Sequence, residues 1–448
     1  MSSDDPDIDR ERGDVALLWR RAGFGATPAQ LDRWATAGYA AAVEELCDLG
    51  AADPAAEAVA PPVFDTEAIV AGLRSGRDDE PARRRARRAA RQQTEALTLW
   101  WLQRMTAAQH PLREKLAWFW HGHFATSVQK VRLAELMYLQ NETFRRLGSG
   151  DFQALAEAVV VDPAMLVWLD GTKSTGDAPN ENLARELLEL FLLGHGHHGH
   201  QPYGEDDVKA AARALTGWRL VPPGTAARLE PRRHDGDPKT FLREAGRWGA
   251  QDIVTVAVAD DASAPFVASR LCSRLARPVA IDDPLVADLA SPFARDRDTA
   301  AMCRRLFDHW SFRSAATRTG LVKQPVEWLV GAHRSLGLVP EDPTLLGALG
   351  QLGQVPFLPP SVGGWPEGRA WLTTGAAQVR LQLARSLAAR ADLDALTAVA
   401  PAARPRAAAR LLGVDGWGAS STAALTKAAT DPALMMTLAL VAPEHLLA

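Results

Sequence analysis

Cysteine is scarce in this chain: Cys47, Cys272 and Cys303 are the only thiols in 448 residues. They are odd in number and far apart, which excludes a disulfide framework and a thiolate metal site and fits isolated buried thiols in a reducing compartment. Long apolar runs are missing too. No segment offers the roughly 18 uninterrupted apolar residues that cross a bilayer, so no membrane partner is expected. The N-terminus, MSSDDPDIDRERGD, has no basic start, apolar run or small-residue cleavage site, and a cytoplasmic location is the default expectation. Nor does one sign of charge dominate. The 50 basic and 54 acidic side chains leave a net charge of −4, which argues against nucleic acid or lipid as a partner. There is no Walker loop, no strand-to-helix G-x-G-x-x-G, no G-x-S-x-G elbow and no H-E-x-x-H, so nucleotide binding and serine hydrolysis have no motif behind them.

What is present is an ordinary globular balance, 47% hydrophobic and 23% charged, on a chain longer than the roughly 250 to 300 residues one core usually serves. Apolar residues recur three and four apart in DVALLWRRAGF, TPAQLDRWATAGYAAAVEELCDL and TEALTLWWLQRM, and strand-like alternation is rare. The expectation is an all-α, multi-helix globular bundle with long ordered loops and room for two packed helical subdomains. Four regions are expected: an N-terminal helical region over 1–110 with a linker at 51–65, a central core over 111–220, an ordered loop over 221–250, and a C-terminal helical region over 251–448. Thr27-Pro28 reads as a helix start and Gly38 as a break. Residues 352–368, LGQVPFLPPSVGGWPEG, read as a loop. The run from Arg74 to Arg91, with Asp78, Asp79 and Glu80 before RRRARRAAR, reads as a solvated helix face, because it lacks interleaved aromatics.

Four segments carry residues suited to chemistry. In FWHGHF, His121 and His123 follow an aromatic helix end; imidazoles suit metals and proton transfer, but two residues apart on a helix they point about 200° away from each other. In PNENLARELLELF, Glu181, Arg185 and Glu189 recur every four residues beside Asn182 and Glu186. Such carboxylates either donate to a metal inside a bundle or form plain ion pairs. HGHHGH gathers His195, His197, His198 and His200 after the likely stop at Gly194, a flexible cluster suited to loose metal binding. RRHDGDPKTFL sets His234, Asp235 and Asp237 near Lys239, and a carboxylate beside an imidazole can orient it.

Taken in order, RRAGFGATPAQLD, PLREKLAWFWHGHFATSVQKV, DPAMLVWLDG, PNENLARELLELFLLG, EDDVKAAARALTGW, HDGDPKTFL, KQPVEWLVGAHRSLG and PPSVGGWPEGRAWLTT resemble the bacterial family catalogued as domain of unknown function 1800. The resemblance covers nearly the whole chain. It implies a helical fold and no established reaction, and implies company with a second uncharacterised family, numbered 1501, that looks like the alkaline phosphatase and sulfatase group. Two departures stand out: HGHHGHQPYGEDDV inserts histidines where the family runs on directly, and ALLW stands where members often carry a histidine.

Two functions are weighed. One is a metal-dependent oxidoreductase or hydrolase with Fe, Mn or Zn held by His121 or His123, by Glu181, Glu186 and Glu189, and by His234 from the loop. Arg185 would then clamp an anionic substrate, with Asp235 and Lys239 beside it. The other is a non-catalytic protein partner, of the family numbered 1501 for example, in which Trp365 and Trp371 anchor an interface.

Overall fold

Where apolar residues recur three and four apart, the chain is helical. The computed structural model describes residues 6–75, 79–196 and 201–447. Among them, strands are confined to two two-stranded antiparallel sheets, so the all-α expectation holds. Thr27 starts the helix Pro28–Ala37 with a capping box: its hydroxyl accepts from Gln30 N at 3.3 Å while the Gln30 side chain accepts from Thr27 N at 3.0 Å. Gly38, at φ +96°, ends that helix and lets Tyr39–Cys47 leave in a new direction.

One hydrophobic cluster runs from Val15 to Leu440 and crosses every boundary expected from composition. Trp19, Trp101, Trp118, Trp120 and Trp328 lie fully inside it, and the three cysteines are buried and free. Helices neighbouring in sequence pack as pairs, Ser263–Leu275 on Pro284–Asp296 for instance, while Thr374–Arg390 reaches forward to Pro432–Val441. No helix among the described residues is long and apolar enough to cross a membrane.

Three stretches without periodicity prove to be tied down. In 51–65, the buried Asp53 accepts from the backbone of Gln109 and His110 at 2.8 Å each and opens the short helix Pro54–Glu57, so this is a staple and not a free linker. The ordered stretch 221–250 carries strands: Trp218–Val221 pairs with Ala226–Leu229, and Lys239–Phe241 with Glu244–Gly246. The loop 352–368 straps the end of the helix Leu112–His123. Val128 N donates to Phe357 O at 2.9 Å, and Gly364, at φ +83°, comes so close to Gly122 that a Cβ would lie 2.5 Å from its carbonyl oxygen. Arg83 to Arg91 lie on the helix Glu80–Ala107 and are mostly exposed, with Arg83 and Arg84 3.5 and 3.9 Å from Glu80, as a solvated face requires. Asp78 lies outside the described residues.

Candidate functional site

The two imidazoles at the end of Leu112–His123 face apart, as their offset demands. His121 is caged by Trp101, Trp118, Phe357 and Trp365, and its Nε2 accepts the Phe357 N–H at 2.9 Å. That bond requires an unprotonated Nε2. His123 stacks on Phe119, with Trp120, Phe124 and Phe266 around it, and its Nε2 lies 2.9 Å from Phe191 O. A carbonyl only accepts, so here Nε2 carries the proton and donates; Nδ1 is left buried without a partner. Burial pushes both rings down to about 3, and both are neutral. Phe191 O is free because the helix Glu181–Glu186 widens into a π turn over Leu187–Leu192. There Leu193 and Gly194 both return to Leu188 O, and the chain turns away at Gly194. His123 is therefore a helix cap.

The carboxylates of that segment face solvent. Arg185 reaches Glu181 at 3.1 Å and grips Glu205 with two bonds of 2.8 and 2.9 Å. Glu186 is half-buried, and its carboxyl is raised by burial and by Glu189. Glu189 lies 3.5 Å from the exposed His195; His197, His198 and His200 lie outside the described residues. In the loop, His234 Nδ1 is 3.1 Å from Thr216 O, and Asp235 is held by Arg213 at 2.6 and 3.2 Å. The buried Lys239 spends its Nζ on the carbonyls of Asp235 and, at 2.8 Å, Asp237.

Glu205 and Arg213 stand at opposite ends of the helix Glu205–Ala214, about 12 Å apart along its axis. The Arg185 cluster and the Asp235 knot are thus separate. Among the described residues, no three of His, Cys, Asp and Glu are grouped to hold a metal ion. The expected single site is corrected accordingly. His121, His123, His234 and the trio Glu181, Glu186 and Glu189 occupy four different surroundings, and Arg185, Asp235 and Lys239 do not share one.

The unexpected feature is a small, partly open pocket of ≈ 20 Å³ lined by Arg20, Arg21, Lys115, Arg274, Lys323 and Glu327, together with Phe24, Gly25 and Leu321. Five cations face one carboxylate. The turn RRAGFG builds the pocket by wedging between two other segments. A Cβ on Gly23 would lie 2.8 Å from Pro111 Cγ, and one on Gly331 would lie 2.8 Å from Phe24 O. Glycine is needed at both points for close approach.

Among the described residues that line the pocket, Glu327 is the only counter-charge, and it is already engaged. Its Oε1 is 2.6 Å from Lys115 Nζ and 3.9 Å from Arg274, and its Oε2 accepts from Gln324 N at 3.1 Å. Burial would push Glu327 up, but Lys115 and Arg274 outweigh it and hold the carboxyl at about 2. Arg274 also donates to Gln324. Arg20 donates to Gly413 O, with Asp415 4.0 Å away on the outer side, and Arg21 donates to Thr317 O. Even so, Arg20 Nε and Arg21 Nε and Nη1 are buried without partners among the described residues. Burial first, then Arg20, pulls Arg21 down to about 9. Lys323 Nζ has no hydrogen bond or ion pair among the described residues.

Sequence reasoning passed over these residues. The available signal was charge embedded in apolar helix, in ALLWRRAGF, REKLAWFW and PVEWLVGAH. Nothing in the individual segments says that they meet.

A family model described as "Protein of unknown function (DUF1800)" matches residues 17–447. No curated protein and no solved structure matches the chain.

Proposed function

The chain belongs to the DUF1800 family, whose description carries no activity, and from that premise we propose that it is an anion-binding protein whose functional centre is the pocket of Arg20, Arg21, Lys115, Arg274 and Lys323. The observation behind this reading is the set of buried donors that nothing among the described residues accepts from: Arg20 Nε and Arg21 Nε and Nη1. A buried guanidinium left short of acceptors is costly, and five cations lining a pocket with one carboxylate add to that cost. A carboxylate, halide or oxoanion would answer both deficits at once, through the fork geometry that makes arginine the usual anion clamp. Elsewhere in the fold such groups are met: Arg104 and Arg145 by Glu114, and the buried Arg334 by the carbonyls of Gly25, Thr106 and Ala108. The reading commits to recognition of an anionic group and not to a reaction.

The test is thermal unfolding with increasing chloride, acetate or sulfate at fixed ionic strength. A bound anion raises the midpoint in a saturable way. At least one of the three should do so for the intact protein and not for Arg21→Met. Equal responses in the two proteins would assign the effect to general screening and remove the reading.

A metal-dependent enzyme holding Fe, Mn or Zn keeps one supporting observation. Burial first, then Glu189, raises the Glu186 carboxyl, and Glu189 lies 3.5 Å from His195; the three do not group as a ready metal site in this conformation, and a divalent ion that drew them together would relieve the repulsion. Elemental analysis of tag-free protein and of Glu189→Ala tests it: stoichiometric metal lost in the variant would support this second reading, and metal-free intact protein would end it.

A further inference from the structure

Lys323 differs from the other cations of the pocket. Lys115 holds Glu327, Arg274 holds Gln324, and Arg20 and Arg21 each hold a carbonyl, whereas Lys323, 7% exposed, offers Nζ to no partner among the described residues. Arg20 and Arg21 face it from the helix Pro6–Ala22, Lys115 from Leu112–His123 and Glu327 from the following turn. The buried His445 adjoins it from Pro443–Leu446, with Nδ1 on Leu440 O. The one acid in this set is 2.6 Å from Lys115 and already committed. An ammonium at Lys323 would therefore face mostly like charge, with only the shared Glu327 to offset it. Burial, and then Arg20, lower the proton affinity of the amine well below that of an ordinary lysine, so the empty pocket disfavours the ammonium.

We propose that the pocket takes up a small singly charged anion together with one proton carried on Lys323 Nζ, so that the ligand enters as the two halves of an acid. This rests on the anion-binding reading above. Size supports the choice of ligand: ≈ 20 Å³ holds one water or an ion of that scale, and anything larger would displace the lysine and arginine arms. Charge supports the proton. An anion beside Nζ supplies the missing counter-charge, and joint uptake leaves the net charge of the buried site unchanged.

The sign of the pH dependence follows. Binding raises the proton affinity of Lys323, so anion affinity strengthens as pH falls, by up to tenfold per unit between the empty-state and bound-state values of the amine, and is flat on either side. Chloride is the probe because it does not titrate. Its affinity is read from midpoint shifts between pH 6 and 9 in gluconate-balanced buffers. Proton uptake is read by calorimetry of the same binding in two buffers of different ionisation enthalpy.

The expected result is uptake approaching one proton per chloride inside the sloping window, with a pH-independent affinity in Lys323→Met or Lys323→Gln. Chloride binding to the intact protein with no proton uptake and no slope would overturn the proton coupling while leaving the anion pocket standing. Failure of chloride, acetate and sulfate alike to bind the intact protein would remove both. The proton count is made on the unaltered chain, so it decides the matter even if neither variant folds.

Discussion

At Lys323 an amine is held among guanidinium groups with no carboxylate of its own, and at Glu114 the reverse holds. Arg104, Arg145 and the Trp101 indole all donate to the Glu114 carboxylate, at 2.6 to 3.0 Å. The two sites should respond oppositely to neutral replacement. Lys323→Met removes the desolvation cost and strands nothing, and should raise stability in anion-free buffer by about 1–4 kcal/mol. Glu114→Gln takes the charge from the part-buried Arg104 and from the buried Arg145, which keeps only the outer Glu142, and should cost about 3–5 kcal/mol. Denaturant midpoints read both, and a destabilised Lys323→Met would show that Nζ has a structural partner. Residue identity alone pointed elsewhere, to the histidines. The helical offset of His121 and His123 was readable in advance, but their surroundings were not: Phe357 and Trp365 of the cage and the carbonyl of Phe191 come from segments far away in the chain.

Individual elements were legible where a local rule governs them. The capping box at Thr27, the break at Gly38 and the stop at Gly194 are all decided within a few residues. The hairpins between Trp218 and Gly246 were not legible, since strands of three or four residues that are mostly half-exposed leave no alternation to see. The loop 352–368 is fixed by a contact and not by a propensity. Gly364→Ala would place a Cβ 2.5 Å from the Gly122 carbonyl oxygen in a left-handed conformation, φ +83°. It should lift the strap from His121 at a cost of about 1–3 kcal/mol. Trp118 and Trp365 stack at 5.2 Å across that contact, so the near-ultraviolet circular dichroism should change with it; an unaltered spectrum would mean that the loop yields without disturbing the cage.

Across the whole molecule, one core joins segments that composition had divided, and buried titratable groups inside it set the response to acid. His121 and His123 are pushed down to about 3, while Glu114 and Glu327 are held at about 2. In the unfolded chain, histidine protonates near 6.5 and glutamate near 4.5. Below pH 6.5 these histidines make the unfolded state bind more protons than the native one; the buried Asp162, raised to about 7 by burial, opposes them by one proton down to its ordinary value of 3.8, so on balance stability falls with pH, through the histidines first and with the glutamates joining below about 4.5. Denaturant midpoints at pH 7.5, 6, 5 and 4 should decline in that order. A flat profile from 7.5 to 5 would mean that the imidazoles are not shut away from water.

The central claim is that an anion belongs among Arg20, Arg21 and Lys323, and anomalous diffraction from crystals equilibrated with bromide tests it most directly. The account predicts an anomalous peak inside the pocket, within hydrogen-bonding distance of Arg21 Nε or Nη1. Bromide confined to surface sites, with the pocket empty or holding only water, would contradict it.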